Sequence, residues 1–126
     1  MVVGGAAGGV KLGDQVEVVG YTLKRSGEGQ AELRLYLRAL SEMGEDYTLW
    51  LHRYREGAEG FESLDRRLST SRWRVGRVYE ERWSVPLEGE RVRFVLGLWR
   101  WEDGRRLWRQ DAPQEHEVDL GWMVPE

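Results

Sequence analysis

The sequence predicts an all-β fold: a two-sheet antiparallel sandwich, jelly-roll or immunoglobulin-like, of about eight strands. Three observations carry this expectation. The best-patterned segments alternate apolar and polar residues with period two, short apolar runs are punctuated by turn signals, and no long amphipathic helix is written anywhere.

The first strand is expected at Val16–Val19, closed by Gly20, with Tyr21 and Leu23 beyond it. Ser26-Gly-Glu-Gly29 reads as a turn, because glycine supplies the backbone angles of a tight reversal. From Ala31 to Leu40, Ala31, Leu33, Leu35, Leu37 and Ala39 fall on one side and Glu32, Arg34, Tyr36 and Arg38 on the other. Ala, Leu, Glu and Arg are good helix formers, but sustained alternation decides for a half-buried strand.

Gly44-Glu-Asp46 turns the chain into Tyr47–Tyr54, a strand whose two faces both look apolar, as if each were covered. Phe61–Leu68 reads as a short strand or an irregular crossing, and Ser69-Thr-Ser71 as loop. Val78–Leu87 is a strand in which Pro86 marks an edge or an end. Arg91–Trp101 sets Val92, Phe94, Leu96 and Leu98 against Arg93, Val95, Gly97 and Trp99. Asp103-Gly104 is a type I′ hairpin signal with Arg105–Gln110 returning, and His116–Val124 closes the chain with Val118, Leu120, Trp122 and Val124 in alternation.

The 126 residues fit one domain, expected over 12–126. Residues 1–11, rich in Gly and Ala, read as a tail without a basic region or apolar run, so neither an export signal nor a membrane span is expected there. Net charge is −3 with both signs interleaved, which gives nucleic acid no basic stripe to bind. Only Lys11 and Lys24 are lysines; the arginine bias suggests a GC-rich source and is a weak signal of thermal adaptation. With no cysteine, disulfides, thiolate metal sites and cysteine nucleophiles are excluded. Seven tryptophans are the unusual feature.

Several blocks resemble the β-sandwich domain at the C-terminal end of bacterial membrane glycosyltransferases of the dolichyl-phosphate-mannose-protein mannosyltransferase type. They are Leu12-Gly-Asp-Gln-Val-Glu-Val-Val-Gly-Tyr21, Leu35-Tyr-Leu-Arg-Ala-Leu40, Asp46-Tyr-Thr-Leu-Trp-Leu-His52, Thr70-Ser-Arg-Trp73 followed by Gly76, Val85-Pro-Leu87, and Val95-Leu-Gly-Leu-Trp99 with Gly104 and Leu107. They span residues 12–108 in order. The family usually has proline where Ser69 stands and Pro-Gly-Glu where Val75-Gly76-Arg77 stands. The resemblance implies a sandwich lying outside the catalytic part of such proteins, and it transfers no catalytic residue. It also implies an extracytoplasmic position if the chain is a domain of a membrane protein; a chain complete as given reads as cytoplasmic.

Two clusters are candidate ligand-binding sites. A two-residue turn at Asp103-Gly104 would set Trp101 opposite Arg106 and Trp99 opposite Trp108, so that Trp99, Trp101, Arg106 and Trp108 share a face. Exposed indoles stack on the apolar faces of sugar rings, and the same pattern also serves as plain cross-strand packing. Arg72 and Trp73 form the second cluster: they either grip a carboxylate or sugar hydroxyl, or Trp73 lids the core while Arg72 pins its loop to Glu80 or Glu81.

His52 and His116 are far apart in sequence and lack partners at metal-ligand spacing; His52 is expected as a hydrogen-bonded, half-buried strand residue. Neighbouring carboxylates such as Glu80-Glu81 point to opposite faces of a strand, and hydrolase and nucleotide-binding motifs are absent. The sequence therefore favours a non-enzymatic, cofactor-free module that binds carbohydrate or a partner protein. Its alternatives are an assembly module using the aromatic face as a homodimer interface and, last, an enzyme.

Overall fold

The computed structural model describes residues 9–86 and 91–125 of the chain. They form two antiparallel sheets that do not close into a barrel, with nine strands and no α-helix among the described residues. The tail expected over residues 1–11 lies outside the described residues up to residue 8, while Val10 and Lys11 already belong to a strand.

Sheet A runs β1 (Val10–Leu12), β2 (Val16–Gly27), β3 (Gln30–Ala39) and β7 (Val78–Pro86) in spatial order. Sheet B runs β5 (Glu62–Ser63), β4 (Thr48–Arg55), β8 (Val92–Trp99) and β9 (Val118–Met123), with β6 (Arg66–Arg67) also pairing with β4. The chain thus crosses between sheets after β3, after β6 and after β7, and the two layers are woven together by their connections.

The period-two pattern is what lets these layers face each other. Ala31, Leu33, Leu35, Leu37 and Ala39 of β3 are fully buried, as are Leu49 and Leu51 of β4 and Val92, Phe94, Leu96 and Leu98 of β8. In β2 a bulge between Val18 and Gly20 inserts Val19, so Val16 and Val18 before it and Tyr21 and Leu23 after it all reach the core. β7 is a sheet edge ending at Pro86, as its proline implied; Leu87 lies outside the described residues.

Three expectations need correction. The outer face of β4 is not covered: Trp50, His52 and Tyr54 are only half-buried there. Arg105–Gln110 is not a continuous return strand but makes single bridges, Arg106 with Trp99 and Arg109 with Leu12. The segment leaves β8 to close the side of the sandwich, where the Gly13 amide donates to Trp108 O (2.7 Å) and the Gln110 amide to Lys11 O (3.0 Å). The alternation in β9 holds for Val118 and Leu120 and then breaks, since a register shift opposite Arg93–Val95 leaves Met123 packed on the core and Trp122 outside.

The opposite side is closed by arginines. Arg66 on β6 donates to Glu81 (3.2 Å) and to Arg82 O (2.9 Å) on β7, and its guanidinium lies 4.2 Å over the Trp83 ring. Trp83 Nε1 donates back to Leu64 O (3.1 Å). Arg53, buried on the inner side of β4, reaches across to Pro86 O (2.7 Å) and pairs with Glu62 (2.6 Å). All but the Arg53–Glu62 pair, which lies within sheet B, tie sheet B to the edge strand of sheet A.

The outer faces of the two sheets differ in kind. Sheet A presents cross-strand charge pairs, Glu17 with Arg38 (3.0 Å) and Glu80 with Arg34 (3.6 Å), and Glu80 also pairs along its own strand with Arg82 (2.8 Å). Such a face is satisfied by its own partners and by water. Sheet B presents Trp50, His52 and Tyr54 on β4 beside Val95, Gly97 and Trp99 on β8.

Candidate functional site

A cleft of about 500 Å³ opens on that face, lined by Trp50, His52, Asp65, Trp99, Gly104, Arg106, His116 and Glu117. Its floor is the β4–β8 pair, where Trp50 sits opposite Gly97. A Cβ on Gly97 would stand 2.5 Å from three atoms of the Trp50 ring, so the missing side chain is what lets the indole lie down on β8. His52 continues the floor. Its ring centroid is 4.8 Å from Trp50, and it stacks on Phe61 at 3.9 Å with 18° between planes. These ring contacts hold the imidazole half-buried, as expected for a strand residue at this position.

One wall comes from the β5–β6 side, where Asp65 accepts the edge amide of Leu51 (3.0 Å). The facing wall is the segment after β8. Arg106 is bridged to Trp99, and its Nη1 lies 2.8 Å from His116 Nε2. The His116 ring meets Trp108 edge-on at 5.2 Å and Trp50 at 6.1 Å. Arg109 fixes the base of this wall, taking Asp111 through two nitrogens (2.8 and 2.7 Å) and donating to Glu117 O (3.2 Å).

The turn that carries Trp101 differs from the expected two-residue reversal. Arg100 and Arg105 are joined by a 2.7 Å backbone bond, with Trp101 to Gly104 looping between them. Gly104 alone takes a positive φ (70°), and Asp103 instead accepts the Arg105 amide (3.0 Å) through its side chain. Trp99 therefore faces Arg106 rather than Trp108. The shift is two residues, an even number, so it preserves which side chains share a face.

The expected residues divide in two. Trp99 and Arg106 line the cleft; Trp101, 67% exposed, leans on Trp99 at 5.3 Å, and Trp108, 46% exposed, backs His116. Arg72 and Trp73 are elsewhere. Trp73 is 9% exposed and stacks on Tyr79 at 4.5 Å, lidding the end of the core. Arg72 does not pin its loop to Glu80 or Glu81, which pair with Arg34, Arg82 and Arg66.

The loop is held instead by its two hydroxyls. Thr70 Oγ1 accepts the Tyr47 amide (2.9 Å) and donates to Glu45 O (2.8 Å), while Asp46 accepts from Ser71 Oγ (2.6 Å) and Ser71 N (2.9 Å). These two bonds hold the Asp46 carboxyl below the usual aspartate range, the hydroxyl more than the amide. A lowered folded value means the folded chain binds this proton less readily than the unfolded one. The stabilisation is present above an unfolded aspartate's pKa of about 3.9 and is lost as pH falls through the folded value. Asp46→Asn is therefore expected to melt below wild type at pH 7, with the gap narrowing as the pH is taken below an unfolded aspartate's pKa of about 3.9. A gap that stays constant over that descent would refute this assignment.

Trp50, His52, Asp65, His116 and Glu117 are the cleft residues that sequence reasoning did not assemble. Among the described residues, no group of three His, Cys, Asp or Glu is arranged to hold a metal ion, and no helix is long and apolar enough to cross a membrane. The chain matches no family model and no curated protein.

Proposed function

We propose that the cleft on sheet B is a carbohydrate-binding surface and that the chain acts as a binding module. The observation that carries this reading is an aromatic floor, Trp50 and Trp99, between walls of hydrogen-bonding groups, Asp65 on one side and Arg106 on the other. A sugar ring needs both: an indole to cover its apolar C–H face, and planar polar groups at its rim to replace water on the hydroxyls. The volume lies within the range of small-molecule sites.

Binding is favoured over catalysis by the state of the carboxylates. Glu117 is open to solvent, and Asp65 is engaged by a strand amide, so neither sits as a sequestered acid facing a base. The resemblance to the sandwich domain of membrane glycosyltransferases agrees with a module that handles glycans beside an enzyme.

Titration with a glycan panel, read by tryptophan emission and calorimetry, tests the reading. Trp99→Ala is expected to weaken binding by roughly thirtyfold, corresponding to about 2 kcal/mol for a central aromatic anchor. Trp101→Ala, at the rim, is expected to cost less. Unchanged emission and no heat across neutral and acidic glycans would refute it.

A second reading is favoured by the exposure of Trp101, Trp108 and Trp122 along sheet B, since aromatic residues are enriched at protein interfaces. Sedimentation at two concentrations separates the two, because a homodimer hiding these indoles would report assembly.

A further inference from the structure

We infer that the ligand of this cleft carries a carboxylate, and that Arg106, aimed by a neutral His116, reads it. The inference rests on the carbohydrate reading and narrows it to glycans containing uronic acid.

The argument starts from the contact between Arg106 Nη1 and His116 Nε2 at 2.8 Å. A guanidinium stays charged and only donates, so Nε2 must be the acceptor. His116 is then neutral, with its proton on Nδ1. That Nδ1 is buried and without a hydrogen-bond partner among the described residues. The imidazole is thereby committed to one task, accepting from Arg106.

The choice of partner matters because three other arginines around this face are paired with carboxylates. Arg93 is paired with Asp119, Arg100 with Glu45 (3.2 Å) and Asp103 (3.4 Å), and Arg109 with Asp111 (2.7 Å) and Glu115 (3.9 Å). Arg106 has no carboxylate within ion-pair reach among the described residues. A carboxylate partner would cancel its charge; an imidazole fixes its direction and leaves the charge intact. What remains at the cleft wall is a positioned cation with free N–H donors, beside the indole of Trp99. That fork matches a carboxylate bidentately, and a sugar ring stacked on Trp99 would bring its own carboxylate to the rim.

Among the described residues, neither acidic residue of the cleft is ion-paired to Arg106. Asp65 takes the place of a strand beyond β4, while Arg106 lies beyond β8. Three strand spacings, roughly 14 Å, separate their backbones. Glu117 is solvent-exposed and adds to the field at Arg93.

The test compares oligogalacturonate and hyaluronan oligosaccharides with their carboxyl-reduced, neutral forms on the whole chain by calorimetry. The acidic forms are expected to bind at least about tenfold tighter, the scale of one charge-assisted bidentate contact. Arg106→Gln should erase that preference, bringing the acidic and neutral forms to equal affinity. His116→Gln, whose amide oxygen reaches the position of Nε2 and still accepts, should retain the preference, and His116→Phe should lose it. Melting curves of the variants verify the fold.

Equal affinity of wild type for acidic and neutral forms overturns this inference and leaves the carbohydrate reading standing. Preference that survives Arg106→Gln overturns the assignment of Arg106. Binding of neither form overturns the carbohydrate reading itself.

Discussion

Gly97→Val is expected to abolish most glycan binding while the sandwich still folds. The position is in the middle of β8, opposite Trp50 in the β4 register, and any Cβ meets the Trp50 ring at 2.5 Å. That distance is far below a van der Waals contact, so one partner must move. The β8 backbone is held on both sides, by β4 and by the bridges toward β9 and Arg106. The indole is the part free to leave, and when it stands up the floor of the cleft goes with it.

The stability effect should be small by comparison. Overpacking costs about 1–3 kcal/mol, and valine recovers part of this because glycine is a poor strand residue. Affinity should fall by roughly thirtyfold or more, since a central aromatic anchor is worth about 2 kcal/mol. Near-ultraviolet dichroism would register the displaced indole, and calorimetry the lost affinity. A Gly97→Val chain that binds as wild type would show that Trp50 is not part of the binding surface.

This geometry also explains what was legible in the sequence and what was not. The strands β3 and β8 were readable because each sends an unbroken inward set, Leu33 to Leu37 and Phe94 to Leu98, to a core that tolerates no parity error. β4 was misread because Trp50, His52 and Tyr54 are as apolar in type as a covered face would be. Alternation alone does not distinguish a covered aromatic stripe from an open one. The useful signal was Gly97, a glycine inside an otherwise good strand, which marks a close approach. The wall of the cleft was beyond reach for another reason: His116 joins His52 and Trp50 only because the segment after β8 crosses to β1 and returns.

The hairpin was half-legible. Asp-Gly does mark the turn, but the Asp103 side chain caps the Arg105 amide, so the reversal takes four residues. The sites assigned to Trp99 and Arg106 kept a common face through that change because the register moved by an even step. Thr70-Ser-Arg-Trp73 was noticed for its guanidinium and indole, whereas its bonds are made by the hydroxyls, which bear no pattern of their own.

Thr70→Val is expected to be among the most destabilising conservative changes in the chain, by about 2–4 kcal/mol. Valine keeps the shape of threonine and removes both hydrogen bonds. Thr70 is completely buried, and its hydroxyl both accepts the amide of the equally buried Tyr47 and donates to Glu45 O. Losing it strands a buried N–H and a carbonyl, each at about 1–3 kcal/mol, far more than a mutual hydrogen bond is worth net. Thr70→Ser supplies the control, because it retains both bonds and gives up one methyl, at about 1 kcal/mol. At roughly 4 °C per kcal/mol for a domain of this size, the valine chain should melt about 8–16 °C below wild type and well below the serine chain. Valine and serine chains melting together would show that the methyl, and not the hydroxyl, anchors the loop. The consequence reaches the cleft, since Glu45 also pairs with Arg100 (3.2 Å) at the root of the turn that carries Trp101. The hydroxyl that holds the loop at Tyr47 therefore also steadies the rim of the binding face.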